Sequence, residues 1–125
     1  MSSAQNQKKT VVIIDDNSAV RRAIKDLLSA FGYITYIFGS AEAFLLAARA
    51  SKADCLVVDV DLGDISGIEL GRRLAEEGYK FPIIFVCARD DEVIRNQAAQ
   101  LGCIAYLQKP FTADELIAAT VRAVG

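Results

Sequence analysis

The chain has 125 residues, 53% hydrophobic and 24% charged, which is enough for one well-buried domain and too few for two ordinary ones. A formal net charge of -2 and an isoelectric point near 5.1 supply no broad basic field. That excludes charge-driven nucleic-acid binding by this segment and leaves a protein or a small ion as the expected partner. No apolar run approaches the roughly 20 residues that span a bilayer, and "MSSAQNQKK" lacks the apolar core of a signal peptide. A cytoplasmic protein is therefore expected.

Residues 1–8 are polar and are expected to be frayed, with the folded domain running over 9–125. "TVVIID" is a β-branched run of strand length. From Ser18, apolar residues at Val20, Ile24, Leu27, Leu28 and Phe31 fall at helical spacing, closed by the glycine of "FG". "YITYIF" reads as a second strand, and Ser40 as the N-cap of an alanine-rich helix running to about Ala50. "CLVVDV" is a third strand, "GIELGRRLAEEG" a third helix and "PIIFVCA" a fourth strand. "DDEVIRNQAAQLG" makes a fourth, weaker helix and "CIAYLQ" a fifth strand. Thr112 and Glu115 form a capping box that opens a last amphipathic helix to about Val124.

Strand and helix alternate five times, and the first, third and fourth strands are apolar throughout. That pattern marks an α/β fold with a five-stranded parallel sheet, covered on both faces and doubly wound. Such sheets bind ligands beyond the carboxyl ends of their strands, where the winding reverses. In this chain those ends carry Asp15 and Asp16 after the first strand, Asp59 and then Asp61 at the third, Cys87 after the fourth, and Lys109 followed by Pro110 after the fifth. With the flavodoxin-like order 2-1-3-4-5, Asp15, Asp16 and Asp59 face one another.

Three converging carboxylates require a cation. Histidine is absent, so the donors are oxygens only, and Mg²⁺ fits them while leaving positions for phosphate oxygens. Lys109 adds a point charge suited to a phosphoryl oxygen, and a carboxylate nucleophile would then form an aspartyl phosphate. Taken singly, an acidic pair after a strand is an ordinary loop or capping signal, and a lysine before proline an ordinary solvated side chain. Their joint placement at the ligand-binding end carries the reading.

"VVIIDDN", "CLVVDVDLGDISGIEL" with Gly67 eight residues after Asp59, "PIIFVCA" and "GCIAYLQKPF", in this order and spacing, make the chain resemble a response-regulator receiver domain of two-component signalling, from about Lys9 to Val124. The resemblance implies that Asp59 accepts a phosphoryl group from a phosphohistidine on a histidine kinase or phosphotransfer protein, as a signalling switch and not a turnover enzyme. It implies Mg²⁺ held by Asp16, Asp59 and the backbone carbonyl of Asp61, with Asp15 acting through water. Lys109 would contact the phosphoryl group, Tyr106 would be the rotating aromatic, and Lys109–Pro110 would be a cis peptide. The output would go to a downstream protein or a fused domain, with a phosphorylation-dependent homodimer as one form. The face of the fourth helix, fifth strand and fifth helix would carry it, and either a free-standing receiver or part of a longer regulator is expected.

Two positions depart from the family pattern. Gly63 stands where proline is usual, which predicts a more mobile loop. Cys87 stands where a threonine or serine hydroxyl is usual, and a thiol is a weak donor, so coupling between Asp59 and Tyr106 is expected to be weakened or rewired. Two other readings stay open: a phosphate-independent interaction module with the same fold, and, from "DVDLG", a haloacid-dehalogenase-type phosphatase using Asp59 and Asp61. Of the three cysteines, Cys55 and Cys103 are expected at strand beginnings in the core and Cys87 at a strand end, partly open and near Lys109, roughly 15 to 20 Å from the others. That separation rules out a three-cysteine metal site, and a redox role for Cys87 stays a minor reading.

Overall fold

Successive side chains on a strand point to opposite faces of its sheet, so an unbroken apolar run needs cover on both sides. The computed structural model, which describes residues 8–125, provides it. Residues 1–7, the bulk of the segment expected to be frayed, lie outside the described residues. The elements are β1 (Thr10–Ile14), α1 (Ser18–Ala30), β2 (Ile34–Phe38), α2 (Ala41–Ala47), β3 (Cys55–Asp59), α3 (Gly67–Glu76), β4 (Ile83–Cys87), α4 (Glu92–Gln100), β5 (Ala105–Gln108) and α5 (Ala113–Val124). All strand pairs are parallel, in the order β2-β1-β3-β4-β5, as the sequence pattern predicts.

The alternation sorts each interior strand between two cores. Val11 and Ile13 of β1, Val57 of β3 and Ile84 and Val86 of β4 pack with Ile24 and Leu28 of α1 and Leu116 and Ala119 of α5. Val12, Ile14, Leu56, Val58, Phe85 and Cys87 pack on the other face with Phe44, Ile68, Leu70, Leu74 and Ala98, from α2, α3 and α4. Beyond this face, Phe44 meets Phe38 and Phe81 edge to face. Strands β1, β3 and β4 are buried almost throughout, whereas β2 and β5 are edge strands and half open.

Each of α1 to α5 starts on a polar cap: Asn17, Ser40, Ser66, Asp91 and Thr112 each accept from a backbone N–H of the first turn, and Thr112 forms the full capping box with Glu115. Gly32 and Gly102, at φ 92° and 73°, close α1 and α4 in the left-handed region that favours glycine. These closures also shorten two expected strands. Tyr33 N–H donates to Leu28 O and Cys103 N–H to Ala98 O, so both residues belong to helix ends, and β2 and β5 start at Ile34 and Ala105. Cys103 therefore precedes its strand instead of opening it. The second helix is shorter than expected as regular α-helix, ending in a 3₁₀ turn over Ala48–Ala50.

Candidate functional site

β1 and β3 lie side by side and carry their last residues to the same edge, with Ile14 opposite Val58. Asp15, Asp16 and Asp59 meet there, and each offers a carboxylate oxygen within 4.8 Å of the others. Asp15 and Asp59 are buried and Asp16 is exposed. Three such charges cannot pack together unaided, and the chain supplies its own cation. Lys109 Nζ donates to Asp15 Oδ2 at 3.1 Å and sits 3.4 Å from Asp59 Oδ2. The Lys109–Pro110 peptide is cis, as expected.

Both Asp15 oxygens are engaged, since Asn17 N–H donates to Oδ1 at 2.9 Å, and Arg21 donates to the Asp15 carbonyl at 2.7 Å. Asp59 Oδ1 accepts the backbone N–H of Asp61 at 3.1 Å. Burial pushes the Asp59 carboxyl above its ordinary value, with the Asp15 charge adding to the rise, although the Asp61 N–H and Lys109 oppose it. For Lys109, partial burial works against the ammonium, but its hydrogen bond to Asp15 and the two carboxylate charges outweigh that and raise its pKa.

Gly67 explains itself here. Its N–H donates to Val60 O at 2.8 Å, and a Cβ on it would collide with the Asp59 carbonyl and stand 2.9 Å from Val58 Cγ1. Only a residue without a side chain lets α3 begin directly against the strand that carries Asp59.

Cys87 requires a correction. It was expected to be partly open, but it is fully buried, because β4 is an interior strand and its last residue shares the Phe85 face. Lys109 reaches it through the backbone, donating its N–H to Cys87 O at 2.8 Å. The thiol lies 3.9 Å from Asp61 Oδ2. A redox role loses its basis, since an attacking or oxidising reagent needs access to the sulfur. Cys55 is buried as expected, and burial together with Asp54 pushes its thiol up to about 12.

Tyr106, half-buried on β5, pairs in register with Phe85, while Cys87 pairs with Gln108, so Tyr106 and Cys87 are diagonal neighbours. The Tyr106 hydroxyl donates to the Arg89 carbonyl at 3.3 Å, and the Arg95 guanidinium lies 4.6 Å over its ring. Burial, with the Cys87 thiol beside it, raises the phenol above its ordinary value.

Two participants were not legible in the sequence. Arg89 bridges to Asp61 Oδ1 at 2.6 Å, where nothing in the "CARDD" stretch singled it out. Asp64, in the loop after Asp59, accepts from Ala41 N–H at 3.3 Å and Glu42 N–H at 2.9 Å, capping α2 from another loop. Burial works against that carboxylate, but these backbone donors, with those of Ile65 and Asp64 itself, hold its pKa below the ordinary value. This tie restrains the segment in which Gly63 replaces the usual proline.

A parallel sheet in this order, with three carboxylates and a lysine ammonium gathered at its switch point, defines a flavodoxin-like α/β domain. A family model described as the response regulator receiver domain matches residues 11–121, and the chain belongs to that family. It is 34% identical over 114 residues to the response regulator protein TmoT of Ectopseudomonas mendocina, covering 91% of this chain and 52% of that protein. It is likewise 34% identical over 111 residues to the transcriptional regulatory protein FixJ of Bradyrhizobium diazoefficiens, covering 89% and 54%. The chain thus spans about half the length of the curated relatives it matches. Among solved structures, a response regulator receiver protein from Burkholderia phymatum superposes with a TM-score of 0.83 at 37% identity, covering 94% of this chain and 96% of that one. FixJ-N superposes with 0.88 at 33% identity, covering 94% of each. Among the described residues, no helix is long and apolar enough to cross a membrane.

Proposed function

We propose that residues 9–125 form a phospho-accepting receiver whose nucleophile is Asp59. An Asp59 carboxylate oxygen attacks the phosphorus of a phosphohistidine on a histidine kinase or phosphotransfer protein. The P–O bond forms as the P–N bond breaks, and the bonding pair leaves on the imidazole nitrogen, which is protonated as it departs. The observation that carries this is Lys109 Nζ between two buried carboxylates, 3.1 Å from Asp15 and 3.4 Å from Asp59. Its charge opposes the burial that disfavours the ionised, nucleophilic form of Asp59, and it is placed to meet the incoming phosphoryl oxygens.

The donor set suits a hard divalent cation: three carboxylates with an oxygen each within 4.8 Å of the others. Asp16 and Asp59 would hold Mg²⁺ directly with the Asp61 backbone carbonyl, and Asp15, whose oxygens already serve Lys109 and Asn17, would act through water. Bound there, the ion would neutralise charge on the transferring group. The domain acts as a switch and not a turnover enzyme, in the cytoplasm, on a downstream protein or a fused output domain. Val93 and Val121, exposed on α4 and α5, supply apolar contact area on the output face and for a phosphorylation-dependent homodimer.

The test is incubation with a small acyl phosphate, with and without Mg²⁺, followed by mass spectrometry of the intact chain. One added phosphoryl group is expected with Mg²⁺, none for Asp59→Asn, and far less in chelator. An unmodified wild type would leave the phosphate-independent interaction module as the better reading. The phosphatase reading has no support in this site, because two βα units precede Asp59 and the family match covers nearly the whole chain.

A further inference from the structure

The two edges of the sheet are finished differently. At β5, Arg122 donates to the Ile104 carbonyl at 2.8 Å just ahead of the strand, and the Arg95 guanidinium lies 4.6 Å over the Tyr106 ring. Charged side chains of this kind blunt an edge against pairing with another chain. Among the described residues, β2 has no such guard. Ile34–Phe38 reads ITYIF, with neither charge nor proline, and its side-chain hydrogen bond, Thr35 Oγ1 with Ser29 Oγ at 3.0 Å, is turned onto α1. Seven large hydrophobics are exposed among the described residues, and five of them, Phe31, Ile34, Tyr36, Ile37 and Leu46, lie on β2 or on the helices beside it.

We propose that two copies of this chain join through β2, antiparallel about a two-fold axis at Tyr36, into one continuous sheet. The backbone sets the register. Ile34 N–H donates to Lys9 O at 2.9 Å and Phe38 O accepts from Asp15 N–H at 3.1 Å, so Ile34, Tyr36 and Phe38 turn their peptide groups towards β1. Alternation leaves the N–H and carbonyl groups of Thr35 and Ile37 facing outwards, on the side of β2 where the sheet has no further strand. In the antiparallel pair, Thr35 meets Ile37 of the second copy and Ile37 meets its Thr35, each couple exchanging both bonds. The edge is therefore complementary to itself. Tyr36 meets its own copy in the non-hydrogen-bonded position, where side chains come closest. On the α2 side, Tyr36 and Phe38 line an apolar groove of about 380 Å³ with Ala47 and Ala50, and Lys52 is the charged residue on its wall. Charge gathers on the α1 side instead, where Arg21, Arg22, Lys25 and Asp26 surround Ile37, so the copies approach most closely over α2. The open surface of the five exposed hydrophobics comes to roughly 500 Å² per copy. Two copies would thus bury about 1,000 Å², the size at which specific interfaces begin.

Sedimentation equilibrium without any phosphate donor tests it, with circular dichroism to show that each variant is folded. The wild type associates to a dimer as its concentration rises. Tyr36→Lys, and Thr35→Pro, which removes an N–H that β1 does not use, each weaken that association at least about tenfold. Val121→Lys, on the face of α4 and α5, leaves it unchanged. Mild oxidation of Tyr36→Cys gives a dimer linked through position 36, because Cα atoms of a non-hydrogen-bonded pair stand about 4.5 Å apart. Ile34→Cys, two residues from the axis, does not link to its own copy. A wild type that stays monomeric up to about 1 mM overturns the proposal and leaves the edge to an extended segment of another protein. So does a dimer that Val121→Lys dissolves and Tyr36→Lys spares, or an Ile34→Cys chain that links as readily as Tyr36→Cys.

Discussion

Two ion pairs flank Asp59, and their lengths misrepresent their roles. On one side Lys109 meets Asp15 at 3.1 Å, with side-chain exposures of 22% and 3%. On the other, Arg89 meets Asp61 at a shorter 2.6 Å, with both side chains about half exposed. The longer pair is the one that matters for stability. Its charges have left water and depend on each other, whereas the shorter pair is solvated and can exchange partners at little cost. Asp59 thus sits beside one buried pair whose charges depend on each other and one solvated pair whose charges do not.

Removing the inner cation should have the largest effect. Lys109→Met leaves Asp15 and Asp59 buried and uncompensated, and is expected to lower stability by about 2–3 kcal/mol at neutral pH in chelator, near the lower end for a broken buried pair. Urea unfolding measures it. The loss should shrink with added Mg²⁺ and in acid, and a loss below about 1 kcal/mol would place this pair with the surface ones.

Asp59→Asn should act more weakly and in the opposite direction. The Asp59 pKa is raised in the folded chain, so the native state binds the proton more tightly than the unfolded state. At neutral pH the ionised carboxyl therefore opposes folding, and the opposition fades as pH falls through the folded value towards the unfolded one. The variant should be the more stable at pH 7 without divalent cation, with the gain narrowing in acid. A gain that widens in acid would mean that Lys109 more than offsets burial.

Asp64→Ala removes a cap that joins two loops, and a cost of about 1 kcal/mol is expected. The Asp64 pKa is lowered on folding, so this contribution should be lost from the wild type as pH falls through the folded value. Thermal melts of the two proteins should converge there, and melts that stay parallel into acid would exclude the carboxylate as the cap. Smallest of all, Arg89→Ala should leave the melting midpoint where it is. A clear drop would make the outer pair structural and erase the contrast with Lys109.

Much of this was legible in the chain itself. Val11 to Ile14, Leu56 to Val58 and Ile84 to Val86 are unbroken apolar runs, and a strand buried on both faces can be written in no other way. Strand and helix alternation then placed Asp15, Asp16, Asp59 and Lys109 at one edge, because a parallel sheet sends every carboxyl end the same way. Glycine closures at Gly32 and Gly102 were local signals too, although their full reach into Tyr33 and Cys103 needed the hydrogen bonds to show it.

What the tertiary structure alone decided lies between loops. The burial of Cys87, the Arg89 bridge to Asp61 and the Asp64 cap on α2 each join segments more than 20 residues apart, or depend on what covers a strand end. Periodicity and capping are set by neighbours a few residues away and repeat along the chain, so a sequence displays them. A contact between two polar loops is made once, at a distance fixed by the packing of the whole sheet, and any of several nearby charges could have made it.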